Sequence, residues 1–382
     1  MFDVSVIKCD SYNSEETKKA LAEAIDAVGG LSWVKSGMKI AVKANLVSFM
    51  SPDKAATTHP ALLCELVKML VEKGAEVIIG DSPGGLYNSV YVNKVYKATG
   101  MHDAEAVGAT LNRNFGQSEA KNPDGVVLKN FTYTAWLDEA DAIINFCKLK
   151  THGMMGMSAA AKNIFGVIPG TLKPEYHFKF PNHSDFARMM VDLDEYFKVK
   201  LCICDAVIGM EGNGPTMGTP RKIGAVLASE SPHKMDLVCA KIIGLAKADV
   251  PTLEAAYERG LIPATADELN ISGDVESFVI PDYKNIPAHA SIEFKKDSSK
   301  FFGKMASFIT GSALRSKPWL KSKECVGCGV CCDICPAKAI RIEKGKAVID
   351  RKNCIRCFCC QEFCPKGAMK VKRTVVAKLL NK

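Results

Sequence analysis

Cys325-Val326-Gly327-Cys328-Gly329-Val330-Cys331-Cys332-Asp333-Ile334-Cys335-Pro336 is answered, 29 residues on, by Cys354-Ile355-Arg356-Cys357-Phe358-Cys359-Cys360-Gln361-Glu362-Phe363-Cys364-Pro365. Each stretch reads C-x2-C-x2-C-x3-C-P, a spacing that holds [4Fe-4S] cubanes through cysteine thiolates. The first three thiolates of such a run wrap one cubane, and the fourth crosses to the other. The spacing therefore assigns Cys325, Cys328, Cys331 and Cys364 to one cluster, and Cys354, Cys357, Cys360 and Cys335 to a second. The same offset superposes Ala339 on Ala368, Ile340 on Met369 and Ile342 on Val371. Each half is thus expected to be a cluster loop, a short helical turn and a strand.

Two other uses of closely spaced cysteines fit less well. Zinc sites take two pairs at wider separation, not four sulfurs in eleven residues followed by proline. A disulfide framework goes with secretion, and the opening MFDVSVIKCD has no signal-peptide character. The duplicated run resembles the bacterial-type ferredoxins, which implies electron transfer through two [4Fe-4S] clusters. Cys332 and Cys359 fall outside the ligand register. They are expected to pack as small apolar residues against the cubanes, with a redox or alternative-ligand role left open.

At 382 residues the chain suits two or three domains. We divide it into an α/β domain over 1–290, a basic amphipathic linker helix over 291–317, the two-cluster domain over 318–372 and a basic tail over 373–382. The linker is read from Phe301, Phe302, Met305, Phe308 and Ile309, which recur at helical spacing. A composition 47% hydrophobic and 24% charged is ordinary for a globular protein, and no apolar run reaches a bilayer-spanning length. A cytoplasmic location in a reducing, oxygen-poor cell is expected.

The net charge of +8 is concentrated at the C-terminal end. Residues 318–372 hold twelve Lys and Arg against five Asp and Glu, while the first 317 residues are slightly acidic. A basic shell favours the reduced state of the clusters and offers a face to an acidic redox partner, either another protein or the body of this chain. The charges are scattered around the cluster loops without interleaved aromatics, which argues against nucleic acid.

Before the cysteine runs, strand-like and helix-like segments alternate, the mark of a mostly parallel sheet flanked by helices. Strands are expected at 4–8, 39–46, 75–80, 143–150 and 201–204, with helices opening at Ser14, covering 59–73 and covering 189–196. The fold class is therefore α/β, with a small α+β ferredoxin-like domain appended.

Such sheets place their sites at the carboxyl ends of strands. Lys43, Asn45, Asp81, Lys148, Lys150, His152 and Asp205 all fall there, and Lys148, Lys150 and His152 share a face if the strand runs through them. Two ammonium groups and an imidazole on one face suit a small anionic substrate. Lys150, His152 and Asp81 are the candidate catalytic residues, with His152 as proton donor. Lys43, Asn45, His59, Lys148, Lys162, Asn163, Asp205, Glu211, Gly212 and Gly214 are candidates for substrate binding, with His59 equally able to cap a helix. The glycines of 211–218 lack the GK[ST] of a phosphate loop and read equally as an irregular turn. His177 and His183 lie in 174–184, a stretch expected to be a loop able to act as a lid.

The order Lys43-x-Asn45-Leu46, Thr58-His59-Pro60, Gly80-Asp81-Ser82-Pro83, Lys148-Leu149-Lys150-Thr151-His152, Lys162-Asn163-x-x-Gly166, Asp205-Ala206 and Glu211-Gly212-x-Gly214-Pro215 resembles the iron-sulfur-centre proteins built on domain of unknown function 362. The resemblance spans about residues 1–250, and a C-terminal ferredoxin-like module is a common companion in that family. It implies one shared pocket without naming a reaction. The expected function is electron transfer through two [4Fe-4S] clusters to a substrate or further cofactor in the large domain. The alternative is a non-catalytic carrier whose large domain binds a redox partner protein.

Overall fold

The structure, a computed structural model, describes residues 1–286 and 317–372. The expected linker helix lies outside the described residues except for Lys317, and the tail 373–382 lies outside them entirely.

In the large domain the strands are β1 (Val4–Lys8), β2 (Lys39–Lys43), β3 (Glu76–Gly80), β4 (Ala109–Leu111), β5 (Gln117–Lys121), β6 (Asn130–Thr134), β7 (Ala142–His152), β8 (Gly156–Ser158), β9 (Leu201–Glu211), β10 (Thr219–Ser229) and β11 (Ile271–Ser272). The main sheet runs β11-β1-β10-β9-β7-β2-β3-β4, with β8 on the end of β7, while β5 and β6 pair separately. Strands β4, β3, β2, β7 and β9 are parallel, and β10 is antiparallel to both its neighbours. The mostly parallel sheet read from the sequence is the one observed.

β7 lies at the centre, and all its residues but Ile143 are buried. Burial on both faces is what a parallel sheet imposes on an inner strand. Ile144 and Phe146 pack with Leu62, Leu66 and Leu21 under helices Ser14–Ala27 and Pro60–Glu72. Cys147 and Leu149 pack on the opposite side with Phe186, Met190 and Val238, from helices His183–Phe197 and Pro232–Ile242.

Several boundaries move for local reasons. The first helix is capped by Asn13, whose side chain accepts from Glu15 N at 3.0 Å; Thr17 donates back to the Asn13 carbonyl and forms no capping box with Ser14. β2 stops at Lys43, where Ala44 N turns back to the Val42 carbonyl at 3.1 Å. β9 continues to Glu211 by forming a long hairpin with β10. The stretch 174–184 is largely helix Lys173–Lys179 and the start of His183–Phe197, not a loop. Tyr176 and His177 bury their rings edge-on to Phe165, and His177 also stacks on Phe186 at 4.3 Å.

The small domain repeats itself in space as in sequence. β12 (Lys317–Leu320) pairs with β15 (Met369–Lys372), and β13 (Ile340–Glu343) with β14 (Lys346–Ile349). The offset of 29 carries β12 onto β14 and β13 onto β15. It also relates the left-handed backbone positions, Gly327 to Arg356, Gly329 to Phe358 and Lys338 to Gly367. Ala339 N donates to Cys335 Sγ at 3.2 Å, and Ala368 N to Cys364 Sγ at 3.2 Å.

Candidate functional site

The two cysteine runs fold so that ligands distant in sequence meet. Cys325, Cys328, Cys331 and Cys364 wall one small cavity with Leu320, Ile342 and Met369, which is the set the crossover spacing assigns to one cluster. Cys335 and Cys360 join the same small core, with Cys354 against it. Among the described residues no His, Cys, Asp and Glu groups converge as they do on a single ion. The residues present fit [4Fe-4S] chemistry.

The halves differ in setting. Cys328 is exposed and Val326 is 61% exposed, so the first loop faces outward. The second loop docks on the large domain. Phe358 enters the large domain's core, and Gln361 Nε2 donates to the Asn213 and Gly214 carbonyls at 3.2 and 3.3 Å. Thr216 Oγ1 donates to the Glu362 carbonyl at 3.1 Å, and Val371 N to Asn213 Oδ1 at 3.4 Å. The glycine stretch 211–218 therefore receives the cluster module. A Cβ on Gly214 would lie 2.1 Å from the Thr151 carbonyl, so glycine is required for that approach.

At this junction lies a cavity of about 60 Å³. Its walls include Asn45, Asp81, Lys150, His152, Lys162 and Asn163 from the large domain. Cys359, Glu362 and Phe363 of the second cysteine loop close it. By volume it has room for on the order of four waters or one small anion.

A buried polar chain holds the large-domain wall in place. Lys43 Nζ pairs with Asp81 Oδ1 at 2.7 Å and donates to Asn163 Oδ1 at 3.2 Å. Asn45 Nδ2 donates to Asn163 Oδ1 at 2.8 Å, and Asn163 Nδ2 to Asn145 Oδ1 at 2.7 Å. Lys150 Nζ donates to Asn45 Oδ1 at 2.6 Å and to the Ala56 carbonyl at 2.5 Å. Neither partner carries charge, and burial pulls the Lys150 ammonium down to about 7. His152 Nδ1 accepts from Met154 N and Met155 N at 3.1 and 3.2 Å. Burial holds that ring well below the usual histidine range, so it is neutral with its proton on Nε2.

Other expected site residues are placed elsewhere. Lys148 Nζ pairs with Asp205 Oδ2 at 2.8 Å and donates to Tyr12 OH at 2.8 Å. His59 caps its helix through Ala61 N at 3.2 Å and stacks on Tyr12 at 3.5 Å, and burial lowers its pKa to about 4. Glu211 faces Lys284 at 3.2 Å, and Gly212 N donates to the Lys284 carbonyl at 2.8 Å. His59, Lys148, Asp205, Glu211, Gly212 and Gly214 do not line the cavity. The expected single pocket is thus two polar groups, one open and one internally paired.

The sequence reading missed Lys173, Ser82, Glu362 and Phe363, all of which line the cavity. Lys173 donates to the Ser82 carbonyl, and burial lowers its pKa to about 8. The second cysteine run held a usable signal. It carries Phe358, Gln361 and Phe363 where the first has Gly329, Cys332 and Ile334, and a bulkier half is the half that packs.

The fold and the cysteine cavity define an iron-sulfur electron-transfer protein with a ferredoxin-like domain. The family described as "Domain of unknown function (DUF362)" matches residues 40–241, more than half of the chain, and the chain belongs to it. A 4Fe-4S dicluster domain matches residues 317–365. A thylakoid-associated protein of Synechocystis sp. is 29% identical over 267 residues, covering 69% of this chain and 81% of that protein. The lactate racemase apoprotein of Thermoanaerobacterium thermosaccharolyticum is similar with a TM-score of 0.41 and 13% identity. That match covers 64% of this chain and 58% of the racemase, and is too distant to carry over an activity. Among the described residues no helix is long and apolar enough to cross a membrane.

Proposed function

We propose that this protein is an iron-sulfur oxidoreductase that passes electrons to a small anionic substrate in the interdomain cavity. The carrying observation is that Cys359, beside the ligand Cys360, walls the same cavity as Lys150 and His152. Cys325, Cys328, Cys331 and Cys364 would hold one [4Fe-4S] group, and Cys354, Cys357, Cys360 and Cys335 a second. Bound there, each group exchanges one electron at a time.

The chain's own residues supply the rest. The exposed first loop takes electrons from a reduced partner protein, which its basic surroundings select as acidic. The docked second loop faces the substrate. Lys162 and Lys173 hold the anion, and Lys150 is placed to deliver a proton near neutral pH. Asp81, paired with Lys43, fixes the wall that carries them.

Anaerobically purified protein tests this through mass spectrometry of bound small molecules and elemental analysis. A stoichiometric small anion or further cofactor supports the oxidoreductase. Iron and sulfide alone, with no anion binding on titration, would leave the chain a carrier whose large domain recognises a protein.

A further inference from the structure

Three buried polar atoms of cavity-lining residues have no hydrogen-bond partner among the described residues: His152 Nε2, Ser82 Oγ and His177 Nδ1. Buried polar groups are normally paired, and a cluster of exceptions around one cavity points to a ligand that completes them. His152 is the most constrained of the three. It is 3% exposed, and two backbone amides occupy its Nδ1, so Nε2 can only donate.

The groups that face it are Lys150 on its own strand, Lys162 on helix Ala160–Ile164, His177 and Lys173 on helix Lys173–Lys179, and His183 at the start of the next helix. Cations on three elements make an imidazolium there costly. Asp81 and Glu362 are the acidic residues of the cavity wall, and Asp81 is already paired with Lys43.

We propose that the cavity holds a small oxyanion, a carboxylate or a phosphate, one oxygen of which sits on the neutral Nε2–H of His152 and the hydroxyl of Ser82. Lys162 and Lys173 balance its charge. His152 is then a fixed donor that selects an oxygen acceptor and supplies no proton. This rests on the reading of the cavity as a substrate site.

Calorimetric titration of the cluster-loaded protein with acetate and with inorganic phosphate, between about pH 5.5 and 8.5, tests the assignment. One of the two anions binds once per chain, and the pair tells a carboxylate site from a phosphate site. His152→Ala weakens that binding by roughly tenfold, and His152→Gln, which keeps a neutral donor, restores most of it. The ratio of wild-type to His152→Ala affinity stays constant across the pH range. A ratio that climbs on acidification would mean an imidazolium and would overturn the fixed-donor role alone. Equal affinities of wild type and His152→Ala would overturn the contact. If neither anion binds the wild type, the oxyanion site fails, and the proposed function with it. Iron content and circular dichroism of each variant establish that it has folded.

Discussion

Lys150 Nζ donates to Asn45 Oδ1 at 2.6 Å, with no carboxylate partner among the described residues. Two residues earlier on the same strand, Lys148 pairs with the Asp205 carboxylate at 2.8 Å. One lysine is therefore neutralised by an ion pair, and the other is left to be set by burial.

Burial without a counter-charge lowers Lys150 to about 7. Its ammonium is present below that pH and lost above it, so turnover that draws on it declines as pH rises through about 7. Lys150→Arg, which stays charged but cannot give up a proton near neutral pH, keeps anion binding and loses turnover. Lys150→Ala abolishes turnover and leaves the cluster absorbance intact.

Lys43 and Asp81 are both almost fully buried, and each is the other's counter-charge at 2.7 Å. Asp81→Ala strands an ammonium in the interior and costs about 3–5 kcal/mol. Replacing both, as in Lys43→Met with Asp81→Leu, costs less. Thermal midpoints of the three proteins, measured anaerobically, make the comparison; equal losses in the single and double variants would contradict it.

Gly84 meets Phe363 of the docked loop so closely that a Cβ would lie 2.0 Å from the ring. Gly84→Ala displaces the second cysteine loop from the cavity, slowing delivery of electrons to it while leaving the iron content whole. Adding Phe363→Ala relieves the clash and recovers the rate. Stopped-flow reduction of the cavity's substrate, set against cluster reduction, separates the two steps.

The out-of-register cysteines sit in different surroundings. Cys332 is part-buried against the cluster core, while Cys359 is 1% exposed and walls the cavity. Cys332→Ala and Cys359→Ala both keep full iron, and only Cys359→Ala changes substrate affinity. By contrast, Cys328→Ser and Cys357→Ser each remove roughly half the iron.

Much of the fold was legible because its signals are local. The apolar run of β7, buried on both faces, and the capping by His59 before Pro60 both follow from a few neighbouring residues. The site was legible only in part. Lys150 and His152 stood out at a strand end, but so did Lys148, which the same alternation places on their face, and Asp205 on another strand. What parts them is Tyr12, from the far end of the chain, which accepts from Lys148 and donates to Asp205. No spacing rule reports so distant a contact.

By itself the sequence determined the iron-sulfur domain, because cubane ligation depends on short-range cysteine spacing, here written twice between Cys325 and Pro365. It also determined the mostly parallel sheet, because strand-like and helix-like segments alternate along the chain. The tertiary structure alone decided which cysteine loop docks, through Phe358, Gln361 and Thr216, and that the 211–218 turn receives it. It alone brought Cys359 and Lys150 to one cavity, since their meeting depends on how two separately folded surfaces fit, and shape complementarity leaves no periodic trace along the chain.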